Sequence, residues 1–363
     1  MSIGIIVPGL LNYAPYIKSY TDLFDDLNMK YTFICWNRNN DKLNDYDNVV
    51  VFNKTSYESD SFVKKIYAYF LFSLFVKKHL KYNKYEFLTV HTIACAIFIK
   101  SILKQKKYIL DIRDFSPLIP FFSNSLLFLV QNSLATAISS NAYKKWLPKN
   151  HQYILSHNIR KTDLDINKFD SCMIQSNNKI EVLTIGQIRD FSSNSKLIKC
   201  LRNSEYFNLK FIGDGTELIN LKKYSIDINN IEFSGRYNKK EEPRLVIKSD
   251  VINILLPNTP EAMTQMTNRF YLGLIFRKPM MVNKDSIQAY YVEKFNLGLT
   301  ISCYDNIHNE LLGYFQNFNS KEFEKGCTKV LNIIKNDIYL FDNTIKEILK
   351  KNNETNINSI RYK

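Results

Sequence analysis

A chain of 363 residues, 45% hydrophobic and 23% charged, is globular and long enough for two domains of roughly 150–200 residues, which excludes a disordered or fibrous protein. With 49 Lys and Arg against 35 Asp and Glu the net charge is +14, so the surface meets something anionic: nucleic acid, a phosphorylated small molecule or an anionic membrane. Six scattered cysteines without a CxxC pair, and five histidines without paired spacing, point to reduced thiols and away from structural zinc or any other metal site.

The N-terminus passes directly into an apolar run, Ile3–Val7, ended by Pro8-Gly9. No basic n-region or cleavage site precedes it, so the expectation is a cytoplasmic chain without a signal peptide. A helical stretch, Tyr16–Leu27, and a second strand, Tyr31–Trp36, complete the opening of a doubly wound α/β domain. Gly9 lets the backbone approach a ligand closely. There is no GxGxxG, so a dinucleotide fingerprint is absent. Asn48–Phe52 reads as a third strand.

Ser61–Tyr85 follows, with an apolar centre at Ile66–Val76 that is too short to cross a bilayer. Lys64, Lys65, Lys77 and Lys78 bracket it, a pattern that suits an interfacial helix on anionic lipid. The alternative is a core helix with solvated ends, and apolar residues encircle this helix too fully for a lipid face alone. Phe87–Val90 is a strand ending at His91, Ile93–Leu103 a helix, and Tyr108–Ile112 a strand running into Arg113 and Asp114. His91 and Asp114 thus both sit just past strand ends, where the ligand crevices of α/β sheets lie. The aromatic-rich stretch Leu118–Leu134 extends the possible membrane face, and Ala135–Ser139 is a short strand.

Periodicity fades between His157 and Lys179, which marks the linker. The expected division is residues 1–165, 166–340 and a C-terminal helix and tail, 341–363. Three strands of the second domain then end in glycine and polar residues. Ile180–Ile185 leads to Gly186 and Arg189, Leu209–Ile212 to Gly213 and Gly215, and Ile231–Phe233 to Gly235, Arg236 and Tyr237. Glycine at a strand end permits a tight βα turn beside a ligand. Val251–Leu256 is a further buried strand, broken by Pro257 and Pro260. Thr264 or Thr267 can cap the next helix, whose N-terminus with Asn268 and Arg269 makes an anion site. Helices are expected at Ile307–Phe318, Ser320–Lys335 and Ile338–Lys350, with a polar tail after Asn352.

These motifs, in this order, resemble the donor domain of bacterial glycosyltransferases of GT-B fold, similar to the retaining family that builds capsules, lipopolysaccharides and exopolysaccharides. The residues that carry the resemblance are Gly186-Gln187-Ile188-Arg189, Phe211 to Glu217, Phe233 to Tyr237, Asn268 to Met280 and Lys294 to Leu299. Asp111 to Asp114 resembles an element of the acceptor domain, and His91 falls where relatives place a donor-facing histidine. The resemblance implies two Rossmann-like doubly wound domains facing across a cleft. It also implies transfer of a sugar from a UDP-linked donor to a lipid-linked oligosaccharide in surface polysaccharide synthesis. The site residues would be His91 and Asp114 for catalysis. Gly9, Gly186, Arg189, Gly213, Gly215, Arg236, Tyr237, Thr264, Thr267, Asn268 and Arg269 would bind the nucleotide sugar. No DxD element stands where a metal-dependent transferase needs one, so neither metal nor cofactor is expected. Asp114 is the candidate base should the reaction invert. Retention, which needs none, is what the resemblance favours.

One departure stands out. The family's glutamate pair, eight residues apart, falls here on Thr264 and Leu272, and a leucine cannot accept a ribose hydroxyl. That leaves an inert scaffold as the rival reading. A nucleic-acid-binding protein is a weaker rival, because the basic residues are spread and no recognition motif is present.

Overall fold

The computed structural model describes residues 2–11, 14–41, 48–57, 60–159, 161–164 and 179–361. The segment read as a linker therefore lies largely, over 165–178, outside the described residues. The chain divides into two compact units: Met1–Lys161 with Asn336–Lys363, and Thr162–Lys335.

The first unit contains β1 (Ser2–Val7), α1 (Lys18–Asp26), β2 (Lys30–Asn37), β3 (Val49–Asn53), α2 (Phe62–Tyr82), β4 (Phe87–His91), α3 (Ile93–Leu103), β5 (Tyr108–Ile112), α4 (Ser123–Asn132), β6 (Ala135–Ile138) and β7 (Tyr153–Leu155). Its seven strands form one sheet in the order β3-β2-β1-β4-β5-β6-β7, every neighbour parallel. Every residue of β4 and β5 is buried, as strands covered by helices on both faces must be. One face packs against α2, α3 and α4 through Phe72, Val76, Ile99, Leu103, Leu126 and Leu129. The other packs against Tyr20, Leu23 and Phe24 of α1.

The second unit contains β8 (Ile180–Gln187), α5 (Phe191–Leu201), β9 (Phe207–Asp214), α6 (Leu218–Tyr224), β10 (Ile231–Gly235), α7 (Glu242–Ile247), β11 (Val251–Ile254), α8 (Pro260–Thr264), α9 (Asn268–Ile275), β12 (Met280–Asn283), α10 (Ile287–Phe295), β13 (Gly298–Ile301) and α11 (Ile307–Gln316). Its parallel sheet runs β10-β9-β8-β11-β12-β13. In both sheets the winding reverses beside the first strand, between β1 and β4 and between β8 and β11. That reversal opens the crevice in which α/β folds bind ligands.

Last comes α12 (Ser320–Arg361), one continuous helix where the sequence led us to expect two. It starts in the second unit and returns the chain to the first at Asn336. Phe341, Ile345 and Leu349, four residues apart on one side of the helix, are buried in the core that contains α1. Two polar contacts fasten it there, His157 to Asp337 at 3.1 Å and Lys346 to Asp26 at 3.6 Å.

The carboxyl edge of the second sheet depends on glycine. Gly213 lies opposite Gly186 with φ +144°, and a Cβ there would stand 1.8 Å from the Gly186 carbonyl oxygen. A Cβ on Gly215 would stand 2.3 Å from that of Ile188. Adding one therefore incurs both backbone strain and a clash that no rotamer relieves. Gly213→Ala is expected to cost on the order of 3 kcal/mol in urea denaturation. Gly313→Ala, in α11 with nothing near its Cβ, should leave stability unchanged or raise it by up to about 1 kcal/mol.

Candidate functional site

Each unit gathers polar side chains at the carboxyl edge of its own sheet, and the two edges differ in character. In the second unit the edge is an open ledge. Gly186, Gly213 and Gly235 end β8, β9 and β10, all with positive φ. Arg189 follows as an exposed residue, and Asp190 caps α5 by accepting from the amides of Ser192 and Ser193, each at 3.0 Å. Asp214 accepts from the Gly215 amide at 2.8 Å and pairs with Arg236 at 2.6 Å. The Arg236 bond, then that amide, hold the Asp214 carboxyl below the usual carboxylate range. The pair is well exposed and adds little to stability.

Arg269, in the first turn of α9, is the cation at the centre of this edge. Its guanidinium donates to the carbonyls of Ile185 (2.7 Å), Gln187 (2.8 Å) and Asn253 (3.3 Å), so one side chain ties α9 to the ends of β8 and β11. Burial lowers its pKa to about 10, which leaves it charged at neutral pH. Among the described residues it has no carboxylate partner, so its full positive charge stays on the edge. Asn253 is the one polar side chain of β11. It is fully buried, donating to Thr184 Oγ1 at 2.9 Å and Asn194 Oδ1 at 3.3 Å. Such a lone asparagine in an apolar strand was a readable signal that the sequence reading missed.

The remaining expected donor contacts divide. Thr267 precedes α9, but its hydroxyl donates to Gln288 at 2.8 Å and makes no capping bond. Asn268 is exposed at the helix start. Tyr237 donates to Glu242 at 2.7 Å, and burial first, then that carboxylate, push its hydroxyl pKa up. Lys239 pairs with the same carboxylate, and sequence reasoning had singled out neither it nor Glu242. Thr264 is corrected outright. It ends α8, is buried, and donates to the Pro260 carbonyl at 2.6 Å, so its hydroxyl is turned into its own helix. Thr259, by accepting from the Ala262 amide, is the residue that caps α8.

In the first unit the corresponding edge is closed. Gly9 faces open space, but His91 is fully buried. Its Nε2 lies 3.2 Å from Thr89 Oγ1 and its Nδ1 3.5 Å from Asp111, with the rings of Tyr16 and Tyr20 packed against it. The expectation that His91 faces a donor is therefore corrected: the imidazole is enclosed by its own unit. Asp111 pairs with Arg113 at 2.6 Å. Burial alone would push the Asp111 carboxyl up, but the Arg113 charge and the His91 contacts outweigh it and hold it below the usual range. Thr92, just after His91, has φ +75°, a strained backbone for a β-branched residue. Asp114 is exposed immediately beyond. Among the described residues no group of three or more His, Cys, Asp or Glu is placed to hold a metal ion.

No protein-family model matches the sequence, and no curated protein matches it. Solved structures do. Sucrose-phosphate synthase from Thermosynechococcus elongatus is 10% identical, with a TM-score of 0.72 over 97% of this chain and 100% of that one. Anabaena HepE in complex with UDP-glucose is 13% identical, with a TM-score of 0.62 over 97% and 100%. The pneumococcal O-GlcNAc transferase GtfA, in complex with UDP and GlcNAc, is 10% identical, with a TM-score of 0.64 over 96% and 99%. At these identities the likeness establishes the fold, which is that of the GT-B glycosyltransferases.

The three carbonyls held by Arg269 give a test of its structural share. Arg269→Met should lower stability by about 2–4 kcal/mol in urea denaturation, because strand-end carbonyls lose their donors. Arg269→Lys should recover less than about half of that, since one ammonium cannot span three acceptors.

Proposed function

We propose that this protein is a nucleotide-sugar-dependent glycosyltransferase whose donor, a UDP-sugar, binds at the carboxyl edge of the second sheet. The observation that carries the reading is the glycine ledge with Arg269 at its centre. Strand-end glycines with positive φ and an unneutralised guanidinium lie together where the sheet reverses its winding. A leaving nucleoside diphosphate gains negative charge as the glycosidic bond breaks, and fixed positive groups stabilise it most where water is excluded. Arg189, Asn268 and the α9 N-terminus supply further donors there. The solved complexes of HepE with UDP-glucose and of GtfA with UDP and GlcNAc support this donor class. Transfer proceeds with retention and without a metal in this reading. Asp114, exposed at the edge of the first sheet, receives the acceptor hydroxyl.

The acceptor we propose is a lipid-linked glycan reached from an anionic membrane surface. On α2, Val63 (74% exposed), Tyr67 (57%), Phe70 (43%) and Leu74 (44%) follow one another at helical spacing and form a bare apolar stripe. Phe72, Val76 and Leu80 on the opposite side are buried in the core, which accounts for the apolar residues all round this helix. Lys64, Lys78 and Lys81 lie exposed at its two ends, and Phe121 is 77% exposed just before α4 in the same helical layer. Each such cation adds about 1 kcal/mol of attraction to an anionic leaflet. Among the described residues no helix is long and apolar enough to cross a membrane.

Two measurements test the reading. Isothermal titration should show UDP binding, and UDP-sugars screened for hydrolysis should identify the donor. Arg189→Ala should cut turnover at least about tenfold. A chain that binds no UDP would instead be the inert scaffold that Leu272 allows. Pelleting with phosphatidylserine vesicles should weaken as salt rises and fall at least about fivefold when Val63, Tyr67, Phe70 and Leu74 are changed to Ser. Unchanged pelleting would detach the membrane from this helix.

A further inference from the structure

The residue before Asp114 is fastened at both ends. The Arg113 guanidinium donates from Nη1 to the Ser156 carbonyl (2.8 Å) and Asn158 Oδ1 (3.1 Å). From Nη2 it donates to Asp111 Oδ2 (2.6 Å) and Ser156 Oγ (2.7 Å). It also lies 4.1 Å over the Tyr16 ring. At the other end, the Arg113 carbonyl accepts from Tyr143 Oη at 2.6 Å and Ser139 Oγ at 3.0 Å. Ser139 and Tyr143 follow β6, and Ser156 and Asn158 follow β7, so one residue clamps the ends of β5, β6 and β7 together.

Stability alone gives a weak reason for such a clamp. Buried ion pairs about break even against apolar replacements of the same size. This one also leaves Arg113 Nε buried without a hydrogen-bond partner. A network that is costly to bury does, however, define a single geometry. What it defines here is the peptide that launches Asp114. The Asp114 carboxylate is close enough to help raise the pKa of the Tyr16 hydroxyl, which burial raises most and the charge of Arg113 offsets.

We infer that Tyr143 and Ser139 are positioning residues that aim the Asp114 carboxylate at the acceptor hydroxyl by holding the carbonyl of Arg113. The inference rests on the transferase reading. Neither residue touches substrate: Tyr143 and Ser139 are each 1% exposed. Their effect passes through one peptide bond into the direction of the next side chain. Misplacement of about 1 Å is enough to cost up to about a hundredfold in rate.

The test is a cycle of Tyr143→Phe with Ser139→Ala, made with Asp114 intact and in an Asp114→Asn background. Phenylalanine keeps the ring packed on Trp146, whose centroid is 4.7 Å away, and Ser139→Ala removes only a hydroxyl. With Asp114 present, kcat should fall about tenfold or more while UDP affinity stays within about twofold. With Asn at 114 the same pair should change kcat by less than about twofold. Equal losses in both backgrounds, or no loss, would overturn the inference. If the pair does not fold, Tyr143→Phe alone carries the same comparison. Hydrogen exchange supplies a readout that needs no turnover: amides of 114–116 and 118 should exchange faster in the variant while those of α5 do not. Unchanged exchange there also refutes it. A chain that neither binds UDP nor transfers sugar refutes the transferase reading and this inference together, whereas UDP binding and transfer without the coupling refutes this inference alone.

Discussion

Two neighbouring strand ends that approach too closely for any side chain set the form of the second unit. Gly213 and Gly186 stand opposite each other, and the space a methyl group would take is filled by a carbonyl oxygen. Gly215 repeats the constraint two residues on, against Ile188. Because backbone meets backbone there, the βα turns are tight. Arg269 acts on the same edge from the other side of the reversal point, drawing α9 down onto β8 and β11. The charge it brings is the one feature of the ledge that glycine cannot provide.

The first unit has the same strand order around its first strand but uses its edge differently. Where the second unit leaves a cation unneutralised, the first closes a histidine, an aspartate and an arginine into its interior under two tyrosine rings. A buried Asp–Arg pair presents no net charge to a ligand, so this edge is not built to attract phosphate. It is suited to fixing backbone, and the exposed residue it delivers is Asp114.

The strands were legible because a parallel sheet covered on both faces demands continuous apolar runs, as in Phe87–Val90 and Val251–Leu256. The glycine turns were legible because few other reasons put glycine at three successive strand ends. β7 and β13 escaped notice for the complementary reason. Both are short, three and four residues, too short for an apolar run to stand out. The break expected inside α12 came from the polar stretch around Asn336 and Asp337, where Asp337 in fact meets His157, a partner 180 residues away. Side-chain roles were harder still. His91 and Thr264 stand at sensible places in the chain, but whether a side chain faces a ligand or its own core is decided by neighbours that the local pattern does not name. Tyr20, far back in the sequence, encloses His91, whereas for Thr264 the acceptor was only four residues back.

The exposed face of α2 shows why composition alone left its role open. A helix apolar all round reads either as core or as membrane contact, and this one has a face for each. Phe72, Val76 and Leu80 satisfy the sheet, so packing requires nothing of Tyr67, Phe70 or Leu74. Leaving those three bare costs hydrophobic free energy in water. A monomer that only had to fold would be as stable with polar residues there. Lysines at both ends of a bare aromatic stripe match a boundary that is anionic at its surface and apolar just beneath. In the proposed reading the end lysines and the unburied apolar residues of α2 form one surface, which suits an anionic membrane better than nucleic acid.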